Sequence, residues 1–167
     1  PLYRTKILRL EIIKQEISMI IAVDFDGTIV EHRYPAIGKE IPFATATLRQ
    51  LMQDGHKLIL WTVREGELQQ EAIDWCAEHG VRFYAVNGYL DEDNTEDHDA
   101  ERKSNKHYSR KLKVDCFIDD RNVGGLPDWG AIYQMISRHI SYEQYIEEQL
   151  GHVSRKEPRK KKHWWNF

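Results

Sequence analysis

Cysteine is nearly missing from this 167-residue chain. Its two copies, Cys76 and Cys116, lie far apart in apolar surroundings and form no pair with metal-ligand spacing. That fits buried free thiols in a reducing compartment. Long apolar runs are missing too: no stretch is long or apolar enough to span a membrane. No basic region followed by an apolar core and a small-residue cleavage site marks a secretory signal. A cytoplasmic protein without a membrane partner is the expectation. Charge of one sign is not in excess, with 24 Lys and Arg against 27 Asp and Glu, so no global bias toward nucleic acid exists. What remains is an ordinary apolar fraction in a chain long enough for one domain with a sizeable core.

The most informative stretch is Ile20-Ile21-Ala22-Val23-Asp24-Phe25-Asp26-Gly27-Thr28. Its apolar, β-branched start reads as a buried strand. The strand runs into two carboxylates two residues apart, and side chains at that spacing on extended chain point the same way. Asp24 and Asp26 can then approach one site, where a bound cation would relieve their repulsion. Asp-Gly-Thr alone also reads as a simple turn.

From Met19 onward strand and helix patterns alternate. Ile20–Val23, Lys57–Trp61, Val81–Val86 and Val114–Ile118 read as strands. A helix follows Pro42 and stops at Gly55. A second carries Leu68, Ala72, Ile73 and Cys76 and ends near Gly80. A short helix around Tyr108–Leu112 leads into the fourth strand. Trp129, Ile132, Met135 and Ile136 mark a further helix, and Ser141 is placed to cap a last one through Leu150. This alternation predicts a parallel sheet covered on both faces, a Rossmann-like three-layer α/β/α sandwich, with ligands bound beyond the carboxyl ends of the strands. The expected organisation is an extension over 1–18 that precedes the natural start at Met19, a catalytic domain over 19–152, and a basic, aromatic tail over 153–167. The alternative for 1–18 is a real amphipathic helix. The acidic loop 91–101 reads as a metal site, an anion-repelling gate or a solvated loop. The tail, Arg155–His163 followed by Trp164, Trp165 and Phe167, reads as a nucleic-acid contact or a solvated terminus.

Two more strand ends carry chemistry. Leu58-Ile59-Leu60-Trp61-Thr62-Val63-Arg64 delivers a hydroxyl and backbone N–H groups to a strand-to-helix junction, which suits phosphate oxygens. Val114-Asp115-Cys116-Phe117-Ile118-Asp119-Asp120 delivers a second acid pair, which could complete an oxygen-rich site for Mg²⁺. Lys103, Lys106, Lys111 and Lys113 lie ahead of it. All these residues fall on one predicted sheet edge, and their joint occurrence is far more specific than any one motif.

At these residues the chain resembles the haloacid dehalogenase (HAD) superfamily of phosphatases, and its small capless bacterial branch in particular, over about Met19 to Leu150. Asp24-Phe25-Asp26-Gly27-Thr28 is similar to that family's first motif, Thr62 to its second and Ile118-Asp119-Asp120 to its fourth. Lys111 is the choice for the third-motif lysine, with Lys106 its competitor. The resemblance implies an Mg²⁺-dependent phosphohydrolase. Asp24 attacks phosphorus and forms an aspartyl-phosphate. Asp26 serves first as general acid and then as general base. The metal is held by Asp24, the Asp26 backbone carbonyl and Asp119, with Asp120 nearby. Gly27, Thr28, Thr62, Val63, Arg64 and the lysine bind phosphoryl oxygens. Family dehalogenases lack an acid at the position of Asp26 and transport ATPases carry Thr there, so Asp26 favours phosphate ester hydrolysis.

Spacing leaves room for only a short flap, one helix and one strand between Thr28 and Thr62, so no large cap domain is expected. The flap is Glu31-His32-Arg33-Tyr34-Pro35, where His32 or Arg33 touches substrate or solvent. For an open site of this kind, the resemblance to capless relatives implies a large phosphorylated substrate, or a homo-oligomer that covers the site. Two other function classes remain open: a HAD-fold binding or regulatory protein with little turnover, and a phosphatase of nucleic-acid or nucleotide ends.

Overall fold

The computed structural model describes residues 18–88 and 112–151. The extension over 1–17, the acidic loop 91–101, the short helix around Tyr108–Leu112 up to residue 111, and the tail over 153–167 lie outside the described residues. The chain divides into two compact units, Pro1–Leu126 and Pro127–Phe167.

The first unit is built on a four-stranded sheet of β1 (Ile20–Val23), β2 (Lys57–Leu60), β3 (Ala85–Val86) and β4 (Cys116–Ile118), in the order β3-β2-β1-β4. Every pairing is parallel, with Val23 opposite both Leu60 and Ile118. Such a sheet buries both faces of its central strands, so their side chains are apolar without alternation. Ile21, Ala22 and Val23 of β1 and Leu58, Ile59 and Leu60 of β2 are accordingly buried. One core cluster joins Ala22, Ile59, Ala85 and Leu112, with Trp61, Tyr84 and Phe117 packed against it.

Helix α1 (Ala44–Gln53) connects β1 to β2. Its first turn is capped by Glu40, whose Oε1 accepts from the Thr45 backbone N–H at 2.9 Å and its hydroxyl at 2.7 Å. Leu48 and Leu51 form its buried face. Helix α2 (Gly66–Glu78) follows β2 and buries Ala72 and Cys76, as the spacing predicts. Between Thr28 and Thr62 stand only the flap, α1 and β2, so the fold is the expected Rossmann-like α/β arrangement with no large cap.

Three strands are shorter than the apolar runs suggest. The Val81 N–H still closes the end of α2 on the Cys76 carbonyl at 2.8 Å, so pairing begins only where the Tyr84 N–H meets the Leu58 carbonyl. β4 starts after Asp115, whose carboxylate and backbone N–H both bond Ile20 and set the start of the ladder. β2 ends at Leu60, one residue before Trp61.

In the second unit, α3 (Trp129–Arg138) is capped by Asp128, which accepts from the Ala131 N–H at 3.0 Å. Helix α4 (Tyr142–Gln149) opens with a reciprocal box between Ser141 and Gln144, the cap expected from sequence. Arg138 and Glu148 pair across the two helices at 2.8 Å. Among the described residues, no helix is long and apolar enough to cross a membrane.

Candidate active site

The chain runs outward from β1 through β2 to β3, then returns to lay β4 on the other side of β1. The strand order therefore reverses beside β1, and crevices open at the carboxyl ends of strands where this happens. Asp24 leaves β1 at that point, with its N–H on the Ile118 carbonyl at 3.0 Å. Asp119 and Asp120 leave β4 opposite it. One carboxylate oxygen from each of Asp24, Asp119 and Asp120 lies within 4.8 Å of the others.

The local chain is shaped to hold this cluster. Gly27 has φ +92°, and a Cβ there would collide with the Asp120 carboxylate, so only glycine allows the acid so close. The fully buried Thr28 hydroxyl donates to Asp24 Oδ2 at 3.2 Å and accepts from the Asp120 N–H at 3.0 Å. Asp119 is oriented by its own turn: its Oδ1 accepts from the Arg121 N–H at 2.8 Å, and its carbonyl from the Asn122 amide at 2.7 Å. Burial, with Asp119 and Asp120 as lesser repulsive neighbours, pushes the Asp24 carboxyl up from 3.8 to about 6, against the lowering effect of hydrogen bonds from the Phe25 backbone and Thr28. Asp120 Oδ1 is buried and without a hydrogen-bond partner among the described residues. Three crowded hard oxygen donors, one of them orphaned, fit a divalent cation such as Mg²⁺.

The second strand end adds Thr62, held from a side that sequence reading missed. The Thr62 N–H donates to Asn87 Oδ1 and the Thr62 carbonyl accepts from Asn87 Nδ2, both at 2.8 Å. Asn87 stands just past β3 at φ +50°, a conformation Asn tolerates. Its side chain thus locks the end of β2 to the end of β3. The Thr62 hydroxyl accepts from the Arg64 N–H at 3.1 Å, which leaves its own proton for an acceptor in the cleft.

Asp26 and Arg64 depart most from expectation. Arg64 is fully buried and grips Asp26 with two bonds, Nε to Oδ2 at 2.6 Å and Nη2 to Oδ1 at 2.7 Å. Its remaining donors reach the Pro35 carbonyl at 2.9 Å and the Ala36 carbonyl at 3.0 Å. The Phe25 and Tyr34 rings lie 5.1 and 5.3 Å from the guanidinium carbon. The bonds to Asp26 raise the Arg64 pKa further, so the guanidinium keeps its charge. Arg64 is therefore no phosphate ligand: its guanidinium joins Asp26 to the flap. Gly27 and Thr28 also turn inward, with the Gly27 N–H on the Val30 carbonyl at 2.7 Å and the Thr28 hydroxyl on the acid cluster. They shape the site rather than bind phosphate.

A cavity of about 500 Å³ opens over these groups, lined by Asp24, Asp26, Thr62, Val63, Asn87 and Asp119, with His32, Tyr34, Trp61 and Arg121 around them. His32 reaches it from the flap. Arg33 instead lies at the surface, 3.7 Å from Glu31. Lys111 and Lys106 lie outside the described residues. Burial pushes the two thiols up, Cys76 to about 12 and Cys116 to about 11, as expected of inert free cysteines.

Fold and site together define a Rossmann-like α/β protein with an acidic cluster at the carboxyl edge of its parallel sheet. Neither a protein-family model nor a curated protein matches the chain. Among solved structures it is similar to a conserved protein from Bacteroides thetaiotaomicron, at 57% identity and a TM-score of 0.64, over 75% of this chain and 95% of that one. The chain belongs to the same family as that protein.

Proposed function

We propose that this protein is an Mg²⁺-dependent phosphohydrolase of the HAD type that works through an aspartyl-phosphate on Asp24. The observation that carries the reading is the convergence of Asp24, Asp119 and Asp120, with Asp24, Asp119 and Thr62 lining one cavity. An Mg²⁺ held by these carboxylates would offset the repulsion between an anionic nucleophile and an anionic substrate. Asp24 Oδ attacks phosphorus as the ester P–O bond breaks. The Thr62 hydroxyl and the Val63 N–H donate to phosphoryl oxygens as charge spreads, and loss of one such donor costs about 10²–10³ in rate. Water then attacks the acyl phosphate, its proton passes to a carboxylate, and Asp24 and inorganic phosphate are released. Asp26 lines the cavity and keeps free lone pairs despite Arg64, so it is fit to accept that proton. The proton Asp26 takes from water in one turnover is the one it gives to the leaving oxygen in the next, and holding it requires Arg64 to release one carboxylate oxygen.

Release of phosphate from p-nitrophenyl phosphate tests the reading. It should need Mg²⁺ and vanish in Asp24→Asn; unchanged turnover in that variant refutes it. The grip of Arg64 on Asp26 favours one second reading, a protein that binds phosphate esters with little turnover. Tight Mg²⁺-dependent binding of an ester by the unaltered chain, without hydrolysis, would support it.

A further inference from the structure

We propose that the cavity selects phosphate monoesters whose organic group carries a flat aromatic ring, with Tyr34 and Trp61 as the walls that recognise it. This rests on the phosphohydrolase reading and names its substrate class. Asp24, Asp119 and Thr62 line the part of the cavity where the phosphoryl group would sit. The rest of the lining mixes the polar side chains of Asp26, His32, Asn87 and Arg121 with three apolar residues. Tyr34 from the flap, Trp61 from the end of β2 and Val63 beside it present apolar surface to the same space.

Both rings are held in place before any ligand arrives. The Trp61 side chain packs against the core cluster, and the Trp61 backbone N–H bonds the Val23 carbonyl at 2.8 Å. Tyr34 is half exposed, yet its ring lies against the guanidinium of a fully buried arginine, which also bonds the next two carbonyls of the flap. Arg64 therefore fixes the Tyr34 wall as well as Asp26. The flap base is closed by the Glu31 N–H on the Lys39 carbonyl at 2.8 Å and the Ile41 N–H on the Ile29 carbonyl at 2.9 Å. A prearranged aromatic wall costs little ordering on binding and suits a stacked ring. The volume of about 500 Å³ lies in the range of small-molecule sites.

The ring could belong to a nucleotide base or a simple aryl group, and calorimetric titration of Asp24→Asn at fixed Mg²⁺ separates the two. Adenosine monophosphate, phenyl phosphate and ribose 5-phosphate are the probes. At least one aromatic ester should bind about tenfold or more tightly than ribose 5-phosphate, as one stacked ring provides. Preference for adenosine monophosphate identifies a base, and preference for phenyl phosphate a smaller aryl group. A further Tyr34→Ala change should bring the ratio toward unity, while Tyr34→Phe keeps it. Trp61→Leu should lower the same ratio; if its loss from the core prevents folding, the Tyr34 pair decides. Equal binding of all three esters overturns the aromatic preference and leaves hydrolysis standing. No binding of any ester, with no hydrolysis by the unaltered chain, overturns both.

Discussion

At the scale of residues, the site is governed by how its carboxylates are offset. Asp26 and Arg64 are nearly dry, at 5% and 0% exposure, and each supplies the charge the other needs. Such a pair is worth little against an apolar replacement of both partners, but removing one leaves a buried charge unmatched. Arg64→Met should therefore destabilise the protein by about 3–5 kcal/mol, read by denaturant unfolding. A loss within a few tenths of a kcal/mol would mean that Asp26 is solvated and the pair is not closed. Asp24 is offset differently. It has Thr28 and the Phe25 backbone on one side and two acids on the other, and burial pushes it up to about 6. Its folded-state pKa lies above its ordinary 3.8, so the folded protein holds the proton more tightly. That stabilisation is complete below about 4 and is lost as pH rises through about 6. Metal-free protein should thus lose thermal stability over this window.

At the scale of elements, strand ends carry the candidate site residues and their partners decide their aim. Asn87 is the clearest case. Two bonds from one amide hold Thr62, and Asn87→Ala should cost about 1–3 kcal/mol by leaving that peptide unpaired. It should also slow phosphate release, because Thr62 loses its fixed position. Unchanged stability and rate would show that β2 holds Thr62 unaided. The acids at the ends of β1 and β4 were legible in the sequence, because β-branched runs mark buried strands and Asp24, Asp119 and Asp120 stand directly after them. The caps at Asp128 and Ser141 were legible for the same local reason. Asn87 was not, since its role depends on β3 lying beside β2, and nothing next to it in sequence records that pairing. Arg64 misled for a related reason: a cation just after a strand end with a hydroxyl suggests a ligand, yet its partners lie far back in the chain, in Asp26 and the flap. The short β3 follows the same logic, because its apolar residues begin before its neighbour is in reach.

At the scale of the whole molecule, cation binding by the acid cluster, as proposed, would couple to folding. A divalent cation that binds ionised carboxylates of the folded protein raises its melting temperature. The rise should be larger at about pH 8 than at about pH 5, because Asp24 must lose its proton first. A shift of equal size at both would place the cation elsewhere. The parallel sheet needs only one crossing back past β1 to bring three acids together, and the flap held by Arg64 closes one side of the cavity above them. The central claim is that Asp24 carries the phosphoryl group during turnover. The direct measurement is peptide mass mapping of protein quenched in acid while turning over p-nitrophenyl phosphate with Mg²⁺. The phosphoryl group is predicted on the peptide containing Asp24, at that residue, and absent in Asp24→Asn. Phosphate on another side chain, or continued turnover by Asp24→Asn, would contradict it.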